Sequence, residues 1–209
     1  MIAVFQERLS ELTLAVVIDP LGSLPVYLAI AGTRSRQEAR AIAVHAVIAA
    51  FCVLLFFVVA GQVILQLINV PLTAFQIAAG IVLFLFALGM IFDQAERSKE
   101  ALLAKQSPRQ AAVFPLAIPA IASPGAMLAV VLLTDNARHN IADQAQTVVV
   151  IAVILLIQLM LLFIARRVEN LIGRAGTSVI TRVMGTILAA VAVTEVLDGF
   201  STWLKLPLP

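Results

Sequence analysis

Charge is scarce in this chain. Asp, Glu, Lys and Arg make up only 12% of its 209 residues, where a soluble domain carries about 25%. Hydrophobic residues make up 62%, and the mean hydropathy is +1.06. No large soluble domain fits between the apolar segments, so most of the chain requires a non-aqueous solvent. Cysteine occurs once, as Cys52 in the apolar run AVIAAFCVLLFFVVAG. A single cysteine excludes an intramolecular disulfide, and the run offers no second thiolate for a metal. Cys52 is therefore read as a lipid-facing or packing thiol. No GxxxxGK[ST] stretch is present, which excludes ATP hydrolysis by a P-loop. The start, MIAVFQERLSELTLAVVI, lacks the basic region, apolar core and small-residue cleavage site of a secretory signal. A net charge of +2 and a pI near 9.1 do not imply a nucleic-acid partner, because the basic residues sit in short loops between apolar runs.

What is present is a series of long apolar segments. A helical span needs about 20 mainly apolar residues. Six are expected, at Leu12–Ala31, Ala41–Leu67, Leu72–Phe92, Ala112–Thr134, Thr147–Ala165 and Val183–Leu204. Strict alternation is lacking, so the fold class is all-α rather than a barrel. Lys and Arg orient the spans. Three (Arg8, Arg138, Lys205) lie on the side of the termini, and the other eleven fall in the first, third and fifth loops. Cytoplasmic loops are enriched in Lys and Arg, which predicts both termini outside, on the periplasmic side if the membrane is an inner one, and the three basic loops in the cytoplasm. Trp203, near the outer end of the last span, suits an interfacial anchor.

The two halves of the chain resemble each other. Asp19-Pro20 falls opposite Ser123-Pro124 at an offset of 104. FQIAAGIVLFLFALGMIFD, from Phe75, falls opposite ITRVMGTILAAVAVTEVLD, from Ile180, at an offset of 105. This pairs Gly80 with Gly185 and Asp93 with Asp198. The expected organisation is a three-helix repeat over 1–92, a charged cytoplasmic linker over 93–111 and a second repeat over 112–209. Three spans per half would insert the second repeat upside down. Inverted repeats recur in transporters, whose sites lie near the midplane where Gly/Pro-interrupted helices meet.

Here the interrupted segments are DPLGSLP (19–25) and PLAIPAIASPG (115–125). Proline lacks an N–H and pushes the preceding residue out of helical geometry. Gly22 and Gly125 follow closely and permit positive φ. Each break should free carbonyls at one half-helix end and N–H groups at the next. N–H groups at a helix start attract a carboxylate. Free carbonyls and Asp19 attract an ammonium group, a proton or a metal cation. Two such breaks face to face suit a zwitterion. The surrounding residues Gly22, Ser23, Ala122, Ser123, Gly125 and Ala126 are small, and neither break holds a Lys or Arg. Asp19, Pro20, Gly22, Ser23, Ala122, Ser123, Pro124 and Gly125 are the candidate substrate-binding residues. A small neutral amino acid is the expected substrate, with membrane lipid as surroundings. Proline kinks alone are common in membrane helices. An aspartate at a helix centre costs about 2.5–3.5 kcal/mol and is functional by default.

Asp19, Glu195 and Asp198 are the candidates for coupling to H+ or Na+. His45 reads as a packing or interfacial residue. Gln62, Gln76 and Gln158 read as interhelical hydrogen-bond partners, and Gly185 to Ala189 as a small-residue packing face. No cofactor and no metal site is expected. Ser123 and His45 are the only Ser–His candidates near membrane depth, and no GxSxG surrounds the serine, so an intramembrane enzyme is disfavoured. The remaining alternatives are a non-transporting membrane subunit or sensor and a broad drug or metabolite exporter.

IDPLGSLPVYL (18–28), AFQIAAGIVLFLFAL (74–88), FPLAIPAIASPGA (114–126) and MGTILAAVAV followed by LDG (184–199) together resemble the MarC family, related to LysE-type amino-acid exporters. The resemblance covers nearly the whole chain. It implies a six-helix inner-membrane protein with an inverted repeat and, for some members, transport of glycine or alanine. Its motif positions here are Asp19, Pro20, Gly22, Pro25, Pro115, Pro119, Pro124, Gly125, Asp198 and Gly199. Ser23 stands where Asn is usual in the family, and Ala79 and Ser123 where Gly is usual.

Overall fold

The structure, a computed structural model, describes residues 14–32, 34–92, 107–134 and 141–204. Asp93, the linker up to Gln106 and the basic residues Arg8, Arg97, Lys99, Lys105, Arg138 and Lys205 lie outside the described residues.

Every regular element among the described residues is a helix. α1 covers Leu14–Ala31, α2 Arg36–Leu67 and α3 Leu72–Phe92. α4 (Pro108–Ile121) and α5 (Pro124–Leu133) form a pair bent by 58°. α6 (Gln144–Leu171) and α7 (Ser178–Leu204) are two limbs of one run, Ile141–Leu204, broken at Gly173 with φ 71° and ψ 171°. Five of these helices are long and apolar enough to cross a membrane, and the bent α4–α5 pair taken as one span makes six.

Several helices start before the apolar stretches that betray them. α2 begins at Arg36 rather than Ala41, because Ser35 and Glu38 form a capping box: Ser35 N–H donates to Glu38 Oε2 at 3.1 Å and Glu38 N–H to Ser35 Oγ at 3.2 Å. The helix of the second half likewise starts at Pro108, inside the stretch expected to be linker. Ser107 and Gln110 cap it in the same way, and Pro108 at the first position needs no N–H partner. Between α2 and α3, Asn69 takes φ 54° in a tight turn closed by Val70 N–H to Leu65 O at 2.9 Å. Pro71 then opens the next helix.

α1 lies at the centre. More than half (56%) of its apolar window is buried inside the protein, against 17% for α7. Leu14, Ile18 and Ile30 of α1 pack with Ile42 and Leu54 of α2 and with Leu116 and Ile121 of α4. Val59, Leu67, Leu85, Met160 and Leu197 face outward, as does Cys52, as an apolar solvent requires. His45 is also exposed, with Nδ1 2.6 Å from Ala41 O. Trp203 is exposed near the end of α7.

α3 and α7 cross antiparallel through glycines. A Cβ on Gly80 would sit 3.0 Å from the Ala192 carbonyl oxygen and 2.7 Å from Val196 Cγ2. A Cβ on Gly185 would sit 3.0 Å from the Ala87 carbonyl oxygen and 3.0 Å from Ile91 Cγ1. Each residue of the first contact is 105 positions from its counterpart in the second. Gly199 meets Thr73 and Ile77 at the other end of the crossing.

Candidate functional site

Helical geometry in α1 stops after Ile18 and resumes at Ser23. Gly22 does not use the positive φ it permits. Gly22 has φ −68°, and Asp19 itself takes the left-handed conformation, with φ 47°. Asp is among the few non-glycine residues that tolerate this region, because its short side chain bonds locally. Asp19 Oδ1 accepts the Gly22 N–H at 2.9 Å, and the Asp19 N–H still reaches Ala15 O at 3.3 Å. Glycine is required at position 22 for space: a Cβ there would overlap the Asp19 carboxylate and approach Met90 Cε to 2.8 Å.

The second break begins further upstream than Ser123. Phe114 (φ −133°, ψ 123°) and Ile118 (φ −127°, ψ 125°), each before a proline, are extended within α4. Ser123, also before a proline, is extended at φ −71° and ψ 157° and caps α5 by accepting the Ala126 N–H at 3.1 Å. Gly125 has helical geometry and likewise does not use the positive φ it permits. It is small because a Cβ would meet Leu83 Cδ2 at 2.6 Å and Val17 Cγ1 at 3.0 Å.

The two breaks touch. Ser123 Oγ donates to Val17 O at 3.3 Å, two residues before Asp19. Asp19, Gly22, Ser23, Ala122, Ser123 and Gly125 are all buried, while Pro20 and Pro124 are half-buried. The first N–H groups of α5 therefore start beside the turn that carries the Asp19 carboxylate. Pro124 has no N–H and Ala126 is capped, so Gly125 carries the N–H that no helical carbonyl can accept.

One more side chain joins the cluster from a third helix. Gln158 of α6, fully buried, donates from Nε2 to Ser23 Oγ, while Ser23 Oγ donates to Pro20 O at 3.3 Å. The sequence marks Gln158 only as a polar residue within the apolar run TVVVIAVILLIQLMLLFIA, and the hydrogen bond expected of it is found. Its position beside the DPLG turn depends on how α6 packs on α1.

Two oxygens of this cluster, Asp19 Oδ2 and Gln158 Oε1, are buried with no hydrogen-bond partner among the described residues. An unsatisfied buried acceptor costs about 1–3 kcal/mol, and more when it is charged. The arrangement is thus an acceptor-rich turn facing a helix start, suited to a ligand that brings donors of its own. Among the described residues, no group of three or more His, Cys, Asp or Glu side chains is arranged to hold a metal ion.

Glu195 and Asp198 lie elsewhere. Glu195 Oε2 accepts from Gln76 Nε2 at 2.8 Å, which makes Gln76 the interhelical partner expected of it. Met90, the α3 residue at Gly22, is fourteen positions from Gln76, or roughly 21 Å along the helix. On the basic side, Arg166 donates to Ala31 O and, at 2.6 Å, to Arg34 O, closing the carbonyl end of α1. Arg34 Nε adds a bond to Ile30 O at 3.1 Å.

Residues 7–204 match the family described as MarC family integral membrane proteins. A UPF0056 membrane protein of Methanocaldococcus jannaschii is 33% identical over 185 residues, 88% of this chain and 90% of the relative. The UPF0056 inner membrane protein YhgN of Escherichia coli K12 is 31% identical over 194 residues, 92% of this chain and 94% of the relative. A UPF0056 membrane protein of Aquifex aeolicus is 29% identical over 200 residues. No solved structure matches. A match over residues 7–204 and helices of membrane length agree: this chain is a multi-pass integral membrane protein and belongs to the MarC family.

Proposed function

We propose that this protein is a secondary transporter of small neutral amino acids such as glycine and alanine in the inner membrane. The observation that carries the reading is the junction of the two breaks, where Ser123 Oγ reaches Val17 O beside a buried carboxylate whose Oδ2 has no partner among the described residues. A charge at membrane depth is costly, and a ligand that completes its hydrogen bonds offsets that cost. The acceptors of the DPLG turn suit an ammonium group. The N-terminus of α5, with its Gly125 N–H, suits a carboxylate. The junction is closely packed, since even a Cβ at Gly22 or Gly125 would meet Asp19, Met90, Leu83 or Val17, and this suits only a short substrate side chain.

The reciprocal glycine contacts support an inverted repeat. The Gly80–Ala192 approach and the Gly185–Ala87 approach exchange partners under the same offset of 105, as a two-fold axis in the membrane plane requires. Alternating access would rock one repeat against the other, with helices 1 and 4 as the discontinuous pair. Asp19 is the first candidate for H+ or Na+ coupling. Glu195 and Asp198, with Gln76, form a second polar group beside the α3–α7 crossing. Both termini lie in the periplasm on this reading, and the protein is a carrier rather than an enzyme.

Purified protein in liposomes tests this directly. Labelled glycine and alanine should enter under an imposed proton or sodium gradient, and Asp19→Asn should abolish uptake while the protein remains folded. Movement of neither amino acid under any gradient rejects the proposal.

A further inference from the structure

We infer that Gln158 is a specificity-determining residue, which together with Asp19 matches the site to an unsubstituted or singly substituted ammonium group. The inference rests on the amino-acid reading above and extends it to a residue outside both broken segments.

The hydrogen-bond network sets the orientation of the amide. Ser23 has one hydroxyl proton, and it goes to Pro20 O. Its oxygen can then only accept from Gln158, so the amide nitrogen faces Ser23 and the amide oxygen points away. Gln158 Oε1 is left as a fully buried acceptor without a partner among the described residues. Asp19 Oδ2 is the second such acceptor. It lies over Gly22, where a Cβ would overlap it, and Gly22 adjoins Ser23. Two unmatched acceptors thus flank one turn.

A primary ammonium carries three donors, enough for both acceptors. One N-methyl group leaves two donors, still enough. A second leaves one, so one buried oxygen stays bare. A third leaves none. The steep loss is therefore expected at the second methyl, not the first. An affinity drop of about tenfold or more corresponds to one unmade bond to a buried acceptor.

The test uses full-length protein in detergent or nanodiscs. Binding of glycine, sarcosine, N,N-dimethylglycine and glycine betaine is measured by calorimetry or thermal shift. In the wild type, dimethylglycine should bind about tenfold or more weaker than sarcosine, and betaine should not bind. In Gln158→Leu only one acceptor remains, so glycine should weaken and the sarcosine–dimethylglycine step should shrink to within about twofold. Gln158→Glu keeps an acceptor and should keep the step; with the wild-type ranking it carries the test if the leucine variant does not fold. Wild-type glycine binding with no loss at the second methyl overturns this inference and leaves the transporter reading standing. Absence of glycine binding overturns both. Stabilisation by NaCl alone, absent with choline chloride and lost in Gln158→Leu, would assign the two oxygens to sodium and also overturn it.

Discussion

Ser123 Oγ donates to the Val17 carbonyl at 3.3 Å and accepts the Ala126 N–H at 3.1 Å, so one hydroxyl both caps α5 and joins two segments 106 residues apart. Ser123→Ala removes both bonds. A lost N-cap costs about 0.5–2 kcal/mol, and one kcal/mol shifts Tm by roughly 2–4 °C in a protein of this size. Thermal unfolding in detergent should show a fall of several degrees for Ser123→Ala and a smaller one for Ser123→Thr.

Gly22 is held small by Asp19. Gly22→Ala should displace the carboxylate, break its 2.9 Å bond to the Gly22 N–H and abolish glycine-dependent stabilisation. Retention of wild-type glycine binding in Gly22→Ala would refute the geometry at the turn. Met90→Ala relieves only the methyl contact and should not restore binding to Gly22→Ala.

The α3–α7 crossing makes a contrasted prediction. Gly80→Val and Gly185→Val force side chains against the carbonyls of Ala192 and Ala87, and each should lower Tm clearly, through about 1–3 kcal/mol of stability lost to overpacking. Gly89, on the same helix α3, has nothing within 4 Å of its Cβ position. Gly89→Ala should be neutral or stabilising by about 0.5–1 kcal/mol, from helix propensity alone. Equal effects at all three positions would count against the crossing.

Arg166 closes the end of α1 through Ala31 O and Arg34 O. Arg166→Leu leaves these part-buried carbonyls without that donor, at about 1–3 kcal/mol. Arg166→Lys should recover part of the loss. Chemical denaturation of the three proteins ranks them.

Orientation is testable through the single cysteine. In a Cys52→Ser background, Ser107→Cys, at the exposed start of α4, should resist a membrane-impermeant maleimide added outside intact cells. Gln66→Cys, at the exposed end of α2, should react. The opposite pattern would invert the assigned topology.

Much of the fold is legible without coordinates, because a span needs only length and apolarity. Leu72–Phe92 is bounded identically by hydropathy and by the helix. Ends are misjudged where polar caps extend a helix beyond its apolar stretch, as Ser35–Glu38 and Ser107–Gln110 do. The site is half legible. Asp19, Ser123 and their prolines are visible as local violations of what a membrane helix prefers. The conformation at the first break is not, since glycine is the usual carrier of positive φ and here aspartate takes it. Gln158 is readable as a hydrogen-bonding residue but not as part of the site.

The sequence by itself determined the class, the spans and the positions of the two breaks, because each follows from local chemistry: apolar length, missing N–H groups and an ionisable residue out of water. Only the tertiary structure decided what those positions mean to one another. It seats Ser123 on Val17 and Gln158 on Ser23, and it leaves Glu195 with Gln76, far along α3 from Met90. Those pairings depend on which helix faces meet, and that is settled by glycine-sized approaches and side-chain volumes summed over the whole bundle rather than by any single stretch of residues.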